Sequence, residues 1–356
     1  MQKSFRWPDP NLGRQFGTVR VWVTDVVIVT SLTPQTGLKA GRVRSKGFSA
    51  MFASGFTDTD VPDQSGRTIV VTGANTGLGF ETSLVLAGKG ARVLLACRSE
   101  DKALKAMGLI EAKVPNADLG FVALDQGDLS SVREAAAVMA EEPRIDVLVN
   151  NAGIMMPPRE MTVDGFESQF GVNHLGTFAL TGLLLPKLSE NKGARVVVTS
   201  SLAHRSGRIM FDDLEATGSY RAQERYGQSK LANLLFTYEL DRRLRAAESS
   251  TIAVVCHPGI ADTELSRSLP AAVRILTPLI RPMFNTPLEG AWPTLMAATS
   301  PNVKGGQYFG PARRFETAGP ARKVDSSARS KDEDLAARLW DISVELTGVD
   351  AATFGC

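Results

Sequence analysis

The stretch TIVVTGANTGLGFETSLVLAGKG, Thr68 to Gly90, decides the fold. It opens with a β-branched run, turns through glycines, and continues as a helix-forming segment rich in Leu, Ala and Val. Glycines at 73, 77 and 79 let the backbone turn tightly and approach a ligand closely. The start of the helix that follows is suited to an anionic group, because its free N–H groups and dipole attract negative charge. Strand, glycine turn and helix in that order constitute a phosphate loop, with Thr72, Gly73, Asn75, Thr76, Gly77, Leu78 and Gly79 as its candidate cofactor contacts.

Downstream, short apolar runs alternate with helical stretches. The spacing predicts strands at 68–73, 92–97, 120–125, 146–153, 194–201, 251–259 and 307–311. These runs are apolar throughout rather than alternating, as expected where helices cover both faces of a sheet. Most gaps leave room for one crossover helix. The expected fold class is therefore α/β, a doubly wound parallel sheet of Rossmann type, single-domain with helices on both faces. In such a sheet the functional groups gather at the carboxyl ends of the strands.

Residues 1–60 lack this rhythm, and their Gly, Pro, Ser and Thr content suggests a disordered or dispensable N-terminal extension. Met51 would make a sensible natural start. The domain itself is expected over 66–356, ending in a helix at about 331–347. There Ser330 and Glu333 fit a capping box, Leu335, Leu339, Ile342 and Leu346 share a stripe, and Gly348 follows.

Composition excludes several classes. A net charge of +2 over 356 residues provides no field for nucleic acid. No apolar run reaches the length of a transmembrane segment; the nearest, VRVWVTDVVIVTSL, is short and carries Asp25. The three cysteines, Cys97, Cys256 and Cys356, have no metal or disulfide spacing, which suits a reducing, cytoplasmic setting. His174, His204 and His257 do not form a metal site either.

The end of the second strand bears on the choice of dinucleotide. A carboxylate there would bind the ribose hydroxyls of NAD. The sequence instead has Cys97 and Arg98, and a guanidinium fork can hold a phosphate, so NADP (NADPH) is favoured over NAD. Asp125, ending the third strand, either meets the adenine or caps the next turn.

The segment YGQSKLANLLF, 226–236, sets a phenol and an ammonium one helical turn apart. A tyrosine with its ordinary pKa of about 10 is hardly ionised at neutral pH and needs a shift of roughly 2–3 units to trade protons there. A lysine beside it acts in that direction. Of the four tyrosines, Tyr226 alone has a lysine at that offset.

Taken together, TGANTGLG, NNAG (150–153), SS (200–201), YGQSK and HPG (257–259) resemble the short-chain dehydrogenase/reductase family over about 68–346. The resemblance implies catalytic roles for Ser201, Tyr226, Lys230 and Asn173. Tyr226 would be the general acid, and Lys230 would lower its pKa and hold the nicotinamide ribose. Ser201 would bond the substrate oxygen, and Asn173 would complete a proton relay through a water and Lys230. It also implies cofactor contacts from Asn151, Ala152, Gly153, Tyr226, Lys230, Pro258, Gly259 and Thr263. The long gap from Ser201 to Tyr226, with its FDDL, and the ACR ending are similar to the retinol dehydrogenase-like group. Light-dependent protochlorophyllide reductases are related, but they carry a cysteine where this chain has Ala232, which disfavours photochemical reduction. GGQYFGP and ARLWDISVELTG look more like bacterial members.

The resemblance implies a lid over the substrate between Gly259 and Pro287, and its apolar character predicts a small lipophilic carbonyl or alcohol substrate; membrane-surface contact or simple packing would use the same residues. The resemblance implies an NADP(H)-dependent oxidoreductase, with aldehyde or ketone reduction favoured. The alternatives are an NAD-linked alcohol dehydrogenase and a non-catalytic NADP-binding regulator. In relatives the Tyr-bearing helix and the one before it often form a dimer face, so a homo-oligomer is one expectation.

Overall fold

The computed structural model describes residues 55–260 and 285–349, with three short strands in the N-terminal segment. Those strands, Lys3–Ser4, Arg20–Thr24 and Val27–Ser31, form an antiparallel sheet in a unit of their own. Most of the 1–60 segment expected to be an extension lies outside the described residues. So do the apolar stretch at 261–284 and its Thr263.

The main unit is built on one eight-stranded sheet. Its strands are β1 (Thr68–Thr72), β2 (Arg92–Cys97), β3 (Leu119–Ala123), β4 (Val147–Asn150), β5 (Arg195–Thr199), β6 (Ile252–Cys256), β7 (Tyr308–Arg313) and β8 (Ala318–Val324). The spatial order is β8-β7-β6-β5-β4-β1-β2-β3, parallel throughout except for β8, which returns antiparallel beside β7. The first seven strands fall where the sequence predicts them. β8 was missed because Gly319 and Pro320 interrupt its pattern, and proline is tolerated there only because the strand lies at the sheet edge.

Alternate residues of each strand feed two cores, as period-two geometry requires. Val70 and Val196 face one layer, formed by α3 (Leu129–Ala140), α4 (Gly176–Ser189) and α5 (Ala222–Ala246). Ile69, Val71 and Val197 face the other, formed by α1 (Gly77–Gly88), α2 (Glu100–Glu111) and α6 (Pro287–Thr299). The order of strands reverses between β1 and β4. The crevice that opens at such a reversal is where ligands of this fold class bind.

The C-terminal helix α7 spans Glu333–Thr347, and Gly348 ends it in the left-handed conformation at φ +60°. Its cap differs from the sequence expectation. Asp332 takes Leu335 N at 2.9 Å, whereas the buried Ser330 hydroxyl is turned to Ser326 and Ser327. Residues Ala328–Lys331 form a separate 3-10 turn, and this shifts the helix start beyond Ser330. α7 lies on α4 and α5: Trp340 sits 5.1 Å from the Phe178 ring and 5.8 Å from Phe236, beneath the guanidinium of Arg243 at 4.3 Å. The chain's own tail helix therefore covers part of the α4–α5 pair. Phe56 pairs with Ala321 of β8, and Trp292 Nε1 donates to Asp58 at 2.8 Å, so residues 55–60 pack on this domain.

Candidate active site

The phosphate loop has the conformation its glycines foreshadow. Gly73 and Gly77 have φ of +65° and +57°, in the left-handed region that favours glycine. At Gly79 the constraint is space: a Cβ would stand 2.4 Å from Gly73 O and 2.6 Å from Asn151 Nδ2. The loop is locked to the end of β4 by Thr72. Its hydroxyl accepts from Asn151 N at 3.0 Å and Ala152 N at 2.9 Å, while Asn151 Nδ2 donates to Thr72 O at 2.9 Å. Asn75 and Leu78 are half-buried on the rim, and Thr76 is exposed. Behind the loop, burial pushes the Cys97 thiol up, while the backbone N–H groups of Ala74 and Asn75 pull it the other way. That position gives Cys97 a packing role and leaves Arg98 to project into solvent.

Arg98 and Asp125 occupy the ends of β2 and the loop after β3. Arg98 is 80% exposed, with Nη1 3.7 Å from Asp125 Oδ2. Asp125 also accepts from Gly127 N at 2.9 Å through Oδ1. Both roles weighed for this carboxylate thus bear on one side chain, with its turn-capping contact formed in this structure.

The chemistry-bearing side chains converge beside Gly153. A Cβ there would lie 3.0 Å from Asn173 Oδ1 and 3.4 Å from Lys230 Nζ. Lys230 and Tyr226 are each only 4% exposed. Lys230 Nζ donates to Thr199 O at 3.3 Å and stands 5.6 Å from the centroid of the Tyr226 ring. Four-residue spacing on α5 accounts for that proximity. Asn173 is fully buried. Its Oδ1 accepts from Ile154 N at 2.7 Å, and its Nδ2 donates to Ile154 O and to Ser229 Oγ, both at 2.9 Å. It occupies a π-type turn, Gly171–Leu175, inserted between Ser168–Phe170 and α4. Such widened turns occur mostly as single insertions in helices and are common at functional positions.

Ser201 is half-buried and caps a 3-10 turn, Leu202–Arg205, by accepting from Ala203 N at 3.3 Å. That turn abuts α5 where Gly227 follows Tyr226; a Cβ at Gly227 would be 3.1 Å from Ala203 O. Its neighbour Ser200 is turned away, donating to Lys230 O at 2.7 Å. Ser201 is thus the less buried hydroxyl of the pair. Pro258 and Gly259 are buried after β6, with Gly259 at φ +76°. Asn285 closes this corner, donating through Nδ2 to Pro258 O at 3.1 Å and through its backbone to Ile260 O at 3.1 Å.

Several participants were not assigned from sequence. Thr199 O receives both Lys230 and Asn233, the latter at 3.2 Å, and Ser229 bridges Asn173 to Tyr226 O. Asn233 and Ser229 lie inside the YGQSKLAN run, so only their direction was hidden. Asn285 is isolated in sequence and gave no signal. The inserted segment is fastened to the 154–161 loop: Tyr220 donates to Pro157 O at 2.7 Å, and Arg159 donates to Ala216 O at 3.0 Å.

All three histidines are held neutral by burial. His174 is pushed down to about 3 and His204 to about 4, and His257 is also lowered. No group of three or more metal-ligating side chains occurs among the described residues. Within the same residues, no helix is long and apolar enough to cross a membrane.

The site's glycines, its switch-point position and its anion-suited helix start fit a nicotinamide dinucleotide; a Cβ at Gly73 would come within 3.0 Å of Ala152 Cα. Comparison with known proteins agrees. The family described as short chain dehydrogenase matches residues 67–274. Retinol dehydrogenase 12 of Mus musculus is 40% identical over 327 residues, covering 91% of this chain and 98% of that protein. Retinol dehydrogenase 14 of Homo sapiens is 41% identical over 304 residues, covering 80% and 87%. A crystal structure of an uncharacterized protein from Mycobacterium paratuberculosis is 43% identical, with a TM-score of 0.69 over 83% of this chain and 99% of its own.

Proposed function

The chain belongs to the short-chain dehydrogenase family, and from that premise we propose that it is an NADP(H)-dependent oxidoreductase that reduces a small lipophilic aldehyde or ketone. The convergence of Asn173, Tyr226 and Lys230 beside Gly153, at the carboxyl ends of the central strands, is the observation that carries this reading.

A bound nicotinamide would supply the hydride; the residues of this chain handle the proton and the orientation. Tyr226 donates its phenolic proton to the carbonyl oxygen. Lys230, pinned by Thr199 O, keeps a positive charge near the ring and favours the phenolate left behind. Ser201 donates to the same carbonyl oxygen and fixes its direction. Asn173 braces Ile154 and completes the relay that returns a proton through Lys230. Burial of Tyr226 and Lys230 strengthens their mutual field, because charges interact more strongly where water is excluded.

Preference for NADPH rests on Arg98, exposed at the end of β2, where Cys97 and Arg98 stand in place of a carboxylate. The lipophilic substrate rests on the half-exposed Ile154–Met156 run beside the site and on the similarity to retinol dehydrogenases. Cys97 and Cys256 are buried and unpaired, which suits a reducing compartment such as the cytoplasm. The test is NADPH oxidation, followed by its absorbance, against a graded panel of aldehydes and ketones. Turnover that rises with substrate lipophilicity is expected. A protein that binds NADPH yet oxidises none of it across the panel would point to a regulator instead.

A further inference from the structure

The hairpin joining β7 to β8 carries three consecutive non-glycine residues in the left-handed region: Arg314, Phe315 and Glu316, at φ +53°, +56° and +66°. One such residue is uncommon and costs free energy; three in a row persist only when the surroundings fix them. The outcome of this backbone is the placement of Glu316. Its Oε2 lies 3.4 Å from His257 Nε2 and accepts from Arg205 Nη2 at 3.0 Å.

Each of those partners leads to the site. His257 precedes Pro258 and Gly259, and its Nδ1 accepts from Gly259 N at 3.2 Å. That bond requires Nδ1 to be unprotonated, so the neutral ring carries its proton on Nε2, facing Glu316. His257 is fully buried, and Nε2 makes no well-directed hydrogen bond among the described residues; the Glu316 carboxylate is a charged group that lies beside it. Arg205 ends the 3-10 turn that Ser201 begins. The same hairpin also wedges Gly259: Ile260 N donates to Thr317 O at 2.9 Å, and a Cβ at Gly259 would come within 2.4 Å of Thr317 O.

We infer that Glu316 is a positioning residue for the nicotinamide end of the dinucleotide, acting through His257 on Gly259 and through Arg205 on the Ser201 turn. The inference rests on the dinucleotide reading above. One carboxylate ties the segment that would meet the nicotinamide to the Ser201 turn that would meet the substrate, while the phosphate loop and Arg98 on the far strands are untouched by it.

The experiment separates the two halves of the ligand. The full chain and its Glu316→Ala and Glu316→Gln variants are titrated with NADPH and with 2′,5′-ADP, which lacks the nicotinamide. Glu316→Ala should weaken NADPH by about tenfold while 2′,5′-ADP stays within about twofold. Glu316→Gln keeps an oxygen acceptor of the same reach and should recover most of the NADPH affinity. Equal weakening of both ligands, no change in either, or a Gln variant no better than Ala overturns the inference. Failure of the unaltered protein to bind either ligand would instead strike the dinucleotide reading itself, and the inference with it.

Discussion

The guanidinium of Arg98 and the carboxylate of Asp125 face each other at 3.7 Å across neighbouring strand ends. With Arg98 largely in solvent, such a pair is worth at most about 1 kcal/mol. A 2′-phosphate offers the same guanidinium a stronger, two-point partner. Arg98→Ala should therefore weaken NADPH by about tenfold to a hundredfold and leave NADH nearly unchanged. Dissociation constants for both cofactors check this; an unaltered preference for NADPH would refute the assignment.

Tyr226→Phe removes one oxygen and keeps the ring that α5 carries. Turnover should fall by about 10²–10⁴-fold, the range for loss of a general acid, while NADPH affinity persists. Single-turnover rates together with cofactor titration separate the two effects. Turnover equal to that of the unaltered protein would sink the proposed proton donor.

Gly79→Ala brings a methyl group against backbone at Gly73 and amide at Asn151, neither of which can yield easily. A cost of about 1–3 kcal/mol in stability is expected, as for other overpacked sites. Dinucleotide affinity should fall with it, because the displaced atoms form the loop. Urea unfolding and cofactor titration on one sample measure both.

His174, His204 and His257 have folded-state pKa values below the ordinary 6.5. The unfolded chain therefore binds more protons than the folded one as pH drops beneath that value. The stability they contribute is complete above about pH 6.5 and is lost as pH falls toward about 4 for His204 and about 3 for His174. Each group fully within its window adds about 1.4 kcal/mol of loss per pH unit. Urea midpoints at pH 7, 6, 5 and 4 should decline progressively; a flat profile would contradict burial of the neutral rings.

The described residues from 55 onward belong to a unit of their own, and Phe56 already pairs with β8. We expect a variant beginning at Met51 to keep its melting temperature and NADPH affinity. Loss of solubility or of turnover on that deletion would overturn the expectation of a dispensable extension.

Elements whose local pattern agrees with their tertiary role were legible in the sequence. The central parallel strands are continuous apolar runs because both faces are buried, and the phosphate loop announces itself through glycines that answer to backbone geometry. Tyr226 and Lys230 were legible because helical spacing alone makes them neighbours. The rest depended on chain segments meeting. β8 hides behind Gly319 and Pro320, since an edge strand needs pairing on only one side. Ser330 fits a capping box in sequence, but its hydroxyl is committed to Ser326 and Ser327, and Asp332 takes the cap. Asn285 meets Pro258 and Glu316 meets His257 from late loops, and no local periodicity records where a loop comes to rest.

The widened turn at Gly171–Leu175 sends adjacent residues in separate directions. Asn173 braces Ile154 within the crevice, whereas His174 Nε2 meets Ser343 Oγ of the tail helix at 2.9 Å. The same splint therefore supports the proposed proton relay on one side and rests on the C-terminal helix on the other. Damage to that helix, far from any reacting atom, should be felt as slowed chemistry well before the molecule comes apart.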